Sequence, residues 1–213
     1  MRAATALCAV VLAAGCTPDP QAPVQPVPGS SVHHLVRDPG PPPNDESPPV
    51  HTLYAGLGAE ARPVARVVSV APGGEAWVTP EGDLVVGGRL ADTAVMPGLS
   101  RAPDGTLAYT RGERRPETDV YRVRPGAAPE RVTHDGRSER PFLLPDGTLL
   151  WTSSAGTGRV GWFRDGKRLN SFPEARVPAF PDRTRFEGGR VVFDAGDGWY
   201  ALDPATGAVE RLP

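Results

Sequence analysis

Hydrophobic and polar positions divide this chain into three regimes. Residues 3–14 form one almost unbroken apolar run. Between residues 17 and 50 large hydrophobes nearly vanish. From residue 51 onward they return in short bursts, such as Leu84-Val85-Val86, Leu149-Leu150-Trp151 and Val191-Val192-Phe193. No stretch sustains the 3.6-residue period of an amphipathic helix, and short bursts between turn residues predict β-strands. The bursts are apolar at consecutive rather than alternate positions. Their sheets are therefore expected to be covered on both faces, unlike a sandwich sheet with one wet face.

The bursts recur at a fixed interval, and internal periodicity outranks other signals. Pro103-Asp104-Gly105-Thr106-Leu107-Ala108-Tyr109 returns 42 residues later as Pro145-Asp146-Gly147-Thr148-Leu149-Leu150-Trp151. A further step of 42 reaches Glu187-Gly188-Gly189-Arg190-Val191-Val192-Phe193. Val120-Tyr121-Arg122-Val123 corresponds in the same way to Trp162-Phe163 and to Trp199-Tyr200-Ala201-Leu202. Each is followed by a turn and a further short strand, at Glu130–Thr133, Lys167–Leu169 and Glu210–Leu212. A less regular first copy runs through Pro72-Gly73-Gly74, Trp77 and Leu84-Val85-Val86. In each Pro-Asp-Gly turn the proline presets φ, the aspartate offers a side-chain acceptor, and the glycine tolerates positive φ. Such a turn joins antiparallel strands. A period near 40 with four short strands per unit predicts the blades of a β-propeller.

Residues 97–135 resemble the WD-like propeller repeat of the TolB family. The Pro103-Asp104-Gly105 turn, the Asp119-Val120-Tyr121 strand and the Arg131-Val132-Thr133 ending carry the likeness, and residues 139–170 share part of it. The resemblance implies blade structure and protein–protein contacts in the bacterial envelope. Propellers of that family close with six or more blades, whereas this chain has room for about four, which leaves a small closed ring, an open arc and a circle completed by a second copy all open. The end sheets of an open arc need a cover, either Val50 to Leu57 or a partner chain; a capped arc is the favoured form, and self-association stays open.

The N-terminus addresses location. Arg2, the apolar run and the small residues ending it describe a cleavable signal peptide. The run is too short to span a bilayer, which needs about 20 residues. Ala13-Ala14-Gly15-Cys16 resembles the lipobox of bacterial lipoproteins, which implies cleavage before Cys16 and acylation of that cysteine. From Thr17 to Val50 about a third of the residues are proline. That composition predicts an extended, disordered tether. With Cys8 in the signal peptide and Cys16 carrying lipid, no thiol is left for a disulfide, metal site or nucleophile.

Candidate chemistry changes this picture little. The formal net charge of −2 and the lack of a basic stripe argue against a nucleic-acid partner. His33, His34 and His51 read as linker residues rather than metal ligands. A serine hydrolase needs a G-x-S-x-G elbow and a histidine. The elbow is missing, and His134 sits in the turn Thr133-His134-Asp135-Gly136. Asp194, Asp197 and Asp203 lack calcium-loop spacing. Arg111, Arg114 and Arg115 interleave with Glu113 and Glu117 and read as a solvated loop.

The expectation is therefore an all-β, propeller-like array of about four short four-stranded blades over residues 51–213. A signal peptide (1–15) and a lipidated, proline-rich disordered tether (16–50) precede it. Cys16 is the one assigned site, for lipidation; no catalytic residue, metal or cofactor is expected, and the binding residues are unassigned. The expected role is a non-enzymatic protein-binding scaffold, held by lipid to the outer membrane, the sorting suggested by Thr17 in place of aspartate. The rivals are a carbohydrate-active or other propeller enzyme and a degenerate repeat protein without separate activity.

Overall fold

The computed structural model describes residues 24–31, 33–38, 48–56, 58–112, 117–156, 159–170, 176–179 and 181–213. They form five four-stranded antiparallel sheets, each a simple meander of consecutive strands, arranged as a five-bladed β-propeller. Blade 1 holds β1 (Val24–Pro26), β2 (His33–Arg37), β3 (His51–Ala55) and β4 (Arg62–Val67). Blade 2 holds β5 (Ser69–Val70), β6 (Ala76–Val78), β7 (Leu84–Val86) and β8 (Arg89–Asp92). Blade 3 holds β9 (Ser100–Arg101), β10 (Leu107–Arg111), β11 (Asp119–Val123) and β12 (Glu130–Arg131). Blade 4 holds β13 (Ser138–Leu143), β14 (Leu149–Ser153), β15 (Gly161–Arg164) and β16 (Lys167–Arg168). Blade 5 holds β17 (Arg185–Glu187), β18 (Arg190–Asp194), β19 (Trp199–Leu202) and β20 (Val209–Arg211).

The expected blade class holds, but the number and the starting point are corrected. There are five blades rather than about four, because residues 24–67 build one more. Residues 24–37 therefore belong partly to strands and not wholly to a disordered tether. Pairing wins over composition here: β2 and β3 match over five residues, and Leu35 opposite Leu53 turns toward blade 2. Pro26 lies on β1, at the sheet's edge, where a missing N–H disrupts no central ladder. His51 to Ala55, expected to pair with an end sheet, is the third strand of blade 1.

The repeated turn forms as its residues dictate. Thr106 N–H donates to Asp104 Oδ1 at 2.8 Å and Thr148 N–H to Asp146 Oδ1 at 2.9 Å. Gly105 and Gly147 take φ of 86° and 83°, values that a side chain strains. The first strands link neighbours: Ser69 Oγ accepts from Gly98 N–H at 3.1 Å, and Ser100 Oγ accepts from Leu143 N–H at 2.8 Å. A Cβ on Gly98 would stand 2.6 Å from Pro181, so the segments leading into blades 3 and 5 touch.

Consecutive apolar residues feed opposite sheet faces, and four junctions are sealed in this way. Leu53 and Val67 pack with Val70 and Trp77 between blades 1 and 2. Val78, Leu84, Leu107 and Tyr109 fill the space between blades 2 and 3. Ala108, Val120, Leu149 and Trp151 do so between blades 3 and 4, and Leu150, Trp162, Phe193 and Tyr200 between blades 4 and 5. Tyr109, Trp151 and Phe193, which share one repeat position, are all buried, as strands covered on both faces require.

Candidate functional site

The outer halves of the blades decide where a ligand has room. In blade 3 the motif residues Asp119, Arg131 and Thr133 clip the sheet to its following loop. The Asp119 carboxylate accepts from Thr133 Oγ1 at 2.9 Å, from Gly136 N–H at 3.2 Å and from the Arg131 guanidinium. Thr133 Oγ1 in turn accepts from Val120 N–H at 2.9 Å. This hydrogen bond to Asp119 raises the Arg131 pKa further. The charges satisfy one another, so the clip is structural.

Each of blades 3, 4 and 5 pairs an aromatic on its second strand with one directly opposite on its third. The ring centroids are 5.9 Å apart for Tyr109–Tyr121, 6.0 Å for Trp151–Phe163 and 6.1 Å for Phe193–Tyr200. An arginine covers each third-strand ring: Arg111, Arg168 and Arg176 respectively. What surrounds the pair differs. Between blades 2 and 3, Asp92 reaches in to accept from the Tyr109 hydroxyl at 2.7 Å and pairs with Arg111 at 3.1 Å. Burial, then that hydrogen bond, pushes the Tyr109 pKa far above its ordinary value, so the hydroxyl stays a donor. Between blades 4 and 5, Asn170 Nδ2 donates to Gly207 O at 2.8 Å. The chain there is so tight that a Cβ on Gly207 would lie 2.6 Å from Leu169 O.

The equivalent place between blades 3 and 4 is left open. A groove of about 480 Å³ runs there, with Val132, Leu149, Trp151 and Phe163 along its floor. Arg122, His134, Asp135 and Asp165 stand at its rim. The outer strands beside it, β12 and β16, are two residues each, and Arg168 of β16 lies over the Phe163 ring. Gly147 and Gly166, at one end, have empty space where a side chain would project. Arg122 Nη2 donates to Glu130 at 2.9 Å, while its buried Nε has no hydrogen-bond partner among the described residues. A groove of this size, with an apolar floor and a charged rim, has room for a segment of peptide or a small ligand. A second cavity of about 570 Å³ lies against the loops of blades 1 to 3, lined by Val50, Val68, Pro80, Glu81, Met96 and Pro97 among others.

The residues singled out in the sequence fall as follows. Cys16 lies outside the described residues, as do Glu113, Arg114 and Arg115. His33 and His34 are on β2 and His51 on β3, which corrects their reading as linker residues; His34 stacks on Tyr54 at 5.2 Å. His134 is exposed and contributes to the groove rim. Asp194 pairs with Arg183, Asp197 accepts from the Tyr200 hydroxyl, and Asp203 caps the turn at Ala205. Among the described residues no group of three or more His, Cys, Asp or Glu side chains is placed to share a metal ion. The groove was not visible in the sequence, since its existence depends on what fails to fill it.

No family model matches the sequence. No curated protein matches it significantly either. Among solved structures the chain is similar to "YCF48 bound to D1 peptide", at 13% identity over 87% of this chain and 82% of that one, with a TM-score of 0.41. So low a score leaves the fold and ligand of this chain to be argued from its own residues.

Proposed function

We propose that this chain is a lipid-anchored, non-enzymatic scaffold of the bacterial envelope that takes an extended segment of a partner protein into the groove between blades 3 and 4. The observation that carries the reading is the departure from the repeat. Three blades carry the same stacked aromatic pair. Asp92 fills the space beside it at one junction and the Asn170–Gly207 contact closes another, while the Trp151–Phe163 pair faces an open groove. The TolB-like repeat at residues 97–135 supports protein contacts as the role. The lipobox-like residues before Cys16 and the proline-rich stretch after it support attachment to a membrane, and Thr17 supports the outer one.

Two experiments test this. A photoreactive residue at His134, on the groove rim, should cross-link one defined partner in intact cells, and the same residue at Leu90, exposed on blade 2, should not. Equal yields from both positions, or none from either, contradict the groove. Cys16→Ala should abolish palmitate labelling and release the protein from membranes; unchanged partitioning contradicts the anchor.

A further inference from the structure

Four junctions of the ring are sealed by buried apolar clusters, and among the described residues no such cluster joins blade 5 to blade 1. The register shows what stands there instead. Phe193 opposite Tyr200 and Val191 opposite Leu202 turn toward blade 4, so Val192, Ala201, Asp194 and Trp199 turn the other way. Around them that face is charged: Arg190 pairs with Glu210, and Arg185 pairs with Glu187 at 2.9 Å. Both pairs lie within blade 5.

Trp199 makes the contrast sharpest. It occupies the repeat position of Trp162, since each precedes the aromatic opposite its second-strand partner. Trp162 is fully buried against Phe193 of the next blade, 5.5 Å between centroids. Trp199 is 37% exposed and is covered by Arg185 of its own blade, 4.9 Å from its ring. The first strand of blade 5, β17, is exposed along its whole length, whereas β13, the first strand of blade 4, is largely covered. On the other side, the face of blade 1 turned from blade 2 carries Val36 as well as His34, Thr52 and Tyr54, with Arg66 committed to Asp38. Among the described residues no strand crosses the junction, because each sheet comes from consecutive strands. Terminal units of repeat arrays carry polar outer faces for the same reason: they must tolerate water.

We infer that the ring opens at the junction of blades 5 and 1 while its other four junctions stay shut. Val192 and Ala201 are buried in the closed form, so opening exposes them, and little apolar surface opposes it. The motion lets blade 5 swing with blade 4 as its base, and changes the ring's outline without breaking any sheet.

A pair of buried alanines tests this in the full-length chain with Cys8 and Cys16 replaced by serine. Ala201→Cys places a thiol at the unsealed junction and Ala108→Cys one at the sealed junction of blades 3 and 4. If Ala108→Cys does not fold, Ala102→Cys in the same cluster replaces it. Under native conditions a disulfide reagent should modify the Ala201→Cys thiol at least about 100-fold faster, at a rate that sub-denaturing urea leaves unchanged, as local opening predicts. Equal rates at both sites, or a rate at 201 that follows global unfolding, would overturn the inference.

Discussion

Trp162 and Trp199 hold the same place in successive blades and lead different lives. The first lies between two sheets, its indole N–H donating to Arg176 O at 2.7 Å and its ring against Phe193. The second stands at the edge of the last blade under an arginine. The repeat determines that a strand, a turn and an aromatic pair form at each place. Whether a residue is buried is decided by the neighbouring blade, which the repeat does not encode. The junction of blades 4 and 5 and that of blades 5 and 1 therefore differ in cohesion although the blades are built alike.

The largest expected effect follows directly. Trp162→Ala should lower stability in urea unfolding by about 3–5 kcal/mol, the usual result of removing a large buried aromatic. Trp199→Ala should change it by less than about 1 kcal/mol, since only partial burial and one cation–π contact are lost. Comparable losses from the two would erase the distinction between the junctions.

The polar clip of blade 3 comes next. Asp119→Ala leaves Thr133 Oγ1, Gly136 N–H and the Arg131 guanidinium without their acceptor, and should destabilise by about 2–3 kcal/mol. Blade 4 has Gly161 where blade 3 has Asp119, and Asn170 Oδ1 there accepts from Trp162 N–H at 3.0 Å. A proteolysis pattern that starts in blade 3 of the Asp119→Ala protein is expected; a uniform pattern would mean that the clip is not local.

Gly147→Val should cost about 1–2 kcal/mol. Space is open around the new Cβ, so the loss comes from the left-handed backbone alone. Gly147→Ala should cost nearly as much in thermal unfolding, whereas a steric origin would separate the two.

The smallest effect is that of acid. Backbone and side-chain hydrogen bonds from Thr106 and Thr148 hold Asp104 and Asp146 below the usual carboxylate range, and N–H groups of Ala205 and Thr206 do the same for Asp203. A carboxylate whose folded pKa is depressed stabilises the fold above its unfolded pKa and stops doing so as pH falls through the folded one. The unfolding midpoint should therefore decline below about pH 4, and the Asp104→Asn/Asp146→Asn double variant should flatten that decline. A wild-type decline unchanged in the variant would assign it to other groups.

Much of the fold was legible because each Pro-Asp-Gly turn is a local device whose partners lie within a few residues. Blades 3 and 4 carry it twice in nearly identical form, and blade 5 keeps the glycine pair Gly188-Gly189. Blade 1 was not legible, since its first turn is Pro28-Gly29-Ser30 and two prolines flank the short β1. Only Leu35 and Val36 supply large apolar side chains on β2. A blade sealed on one side alone needs fewer hydrophobes, and so looks like linker. The groove was hidden for another reason. Trp151 could be read as buried, but the open space beside it lies among two short outer strands, Gly147 and Gly166, elements of two different blades. Asp119, Arg131 and Thr133 were visible as a motif, while their joint role required seeing them converge.

Acrylamide quenching of tryptophan fluorescence tests the contrast between the two junctions most directly. Removing Trp199 as Trp199→Phe should sharply reduce the readily quenched part of the emission, and removing Trp162 as Trp162→Phe should leave that part intact. Equal losses from the two variants, or a quenchable fraction that disappears with Trp162, would show that the last junction is sealed like the rest.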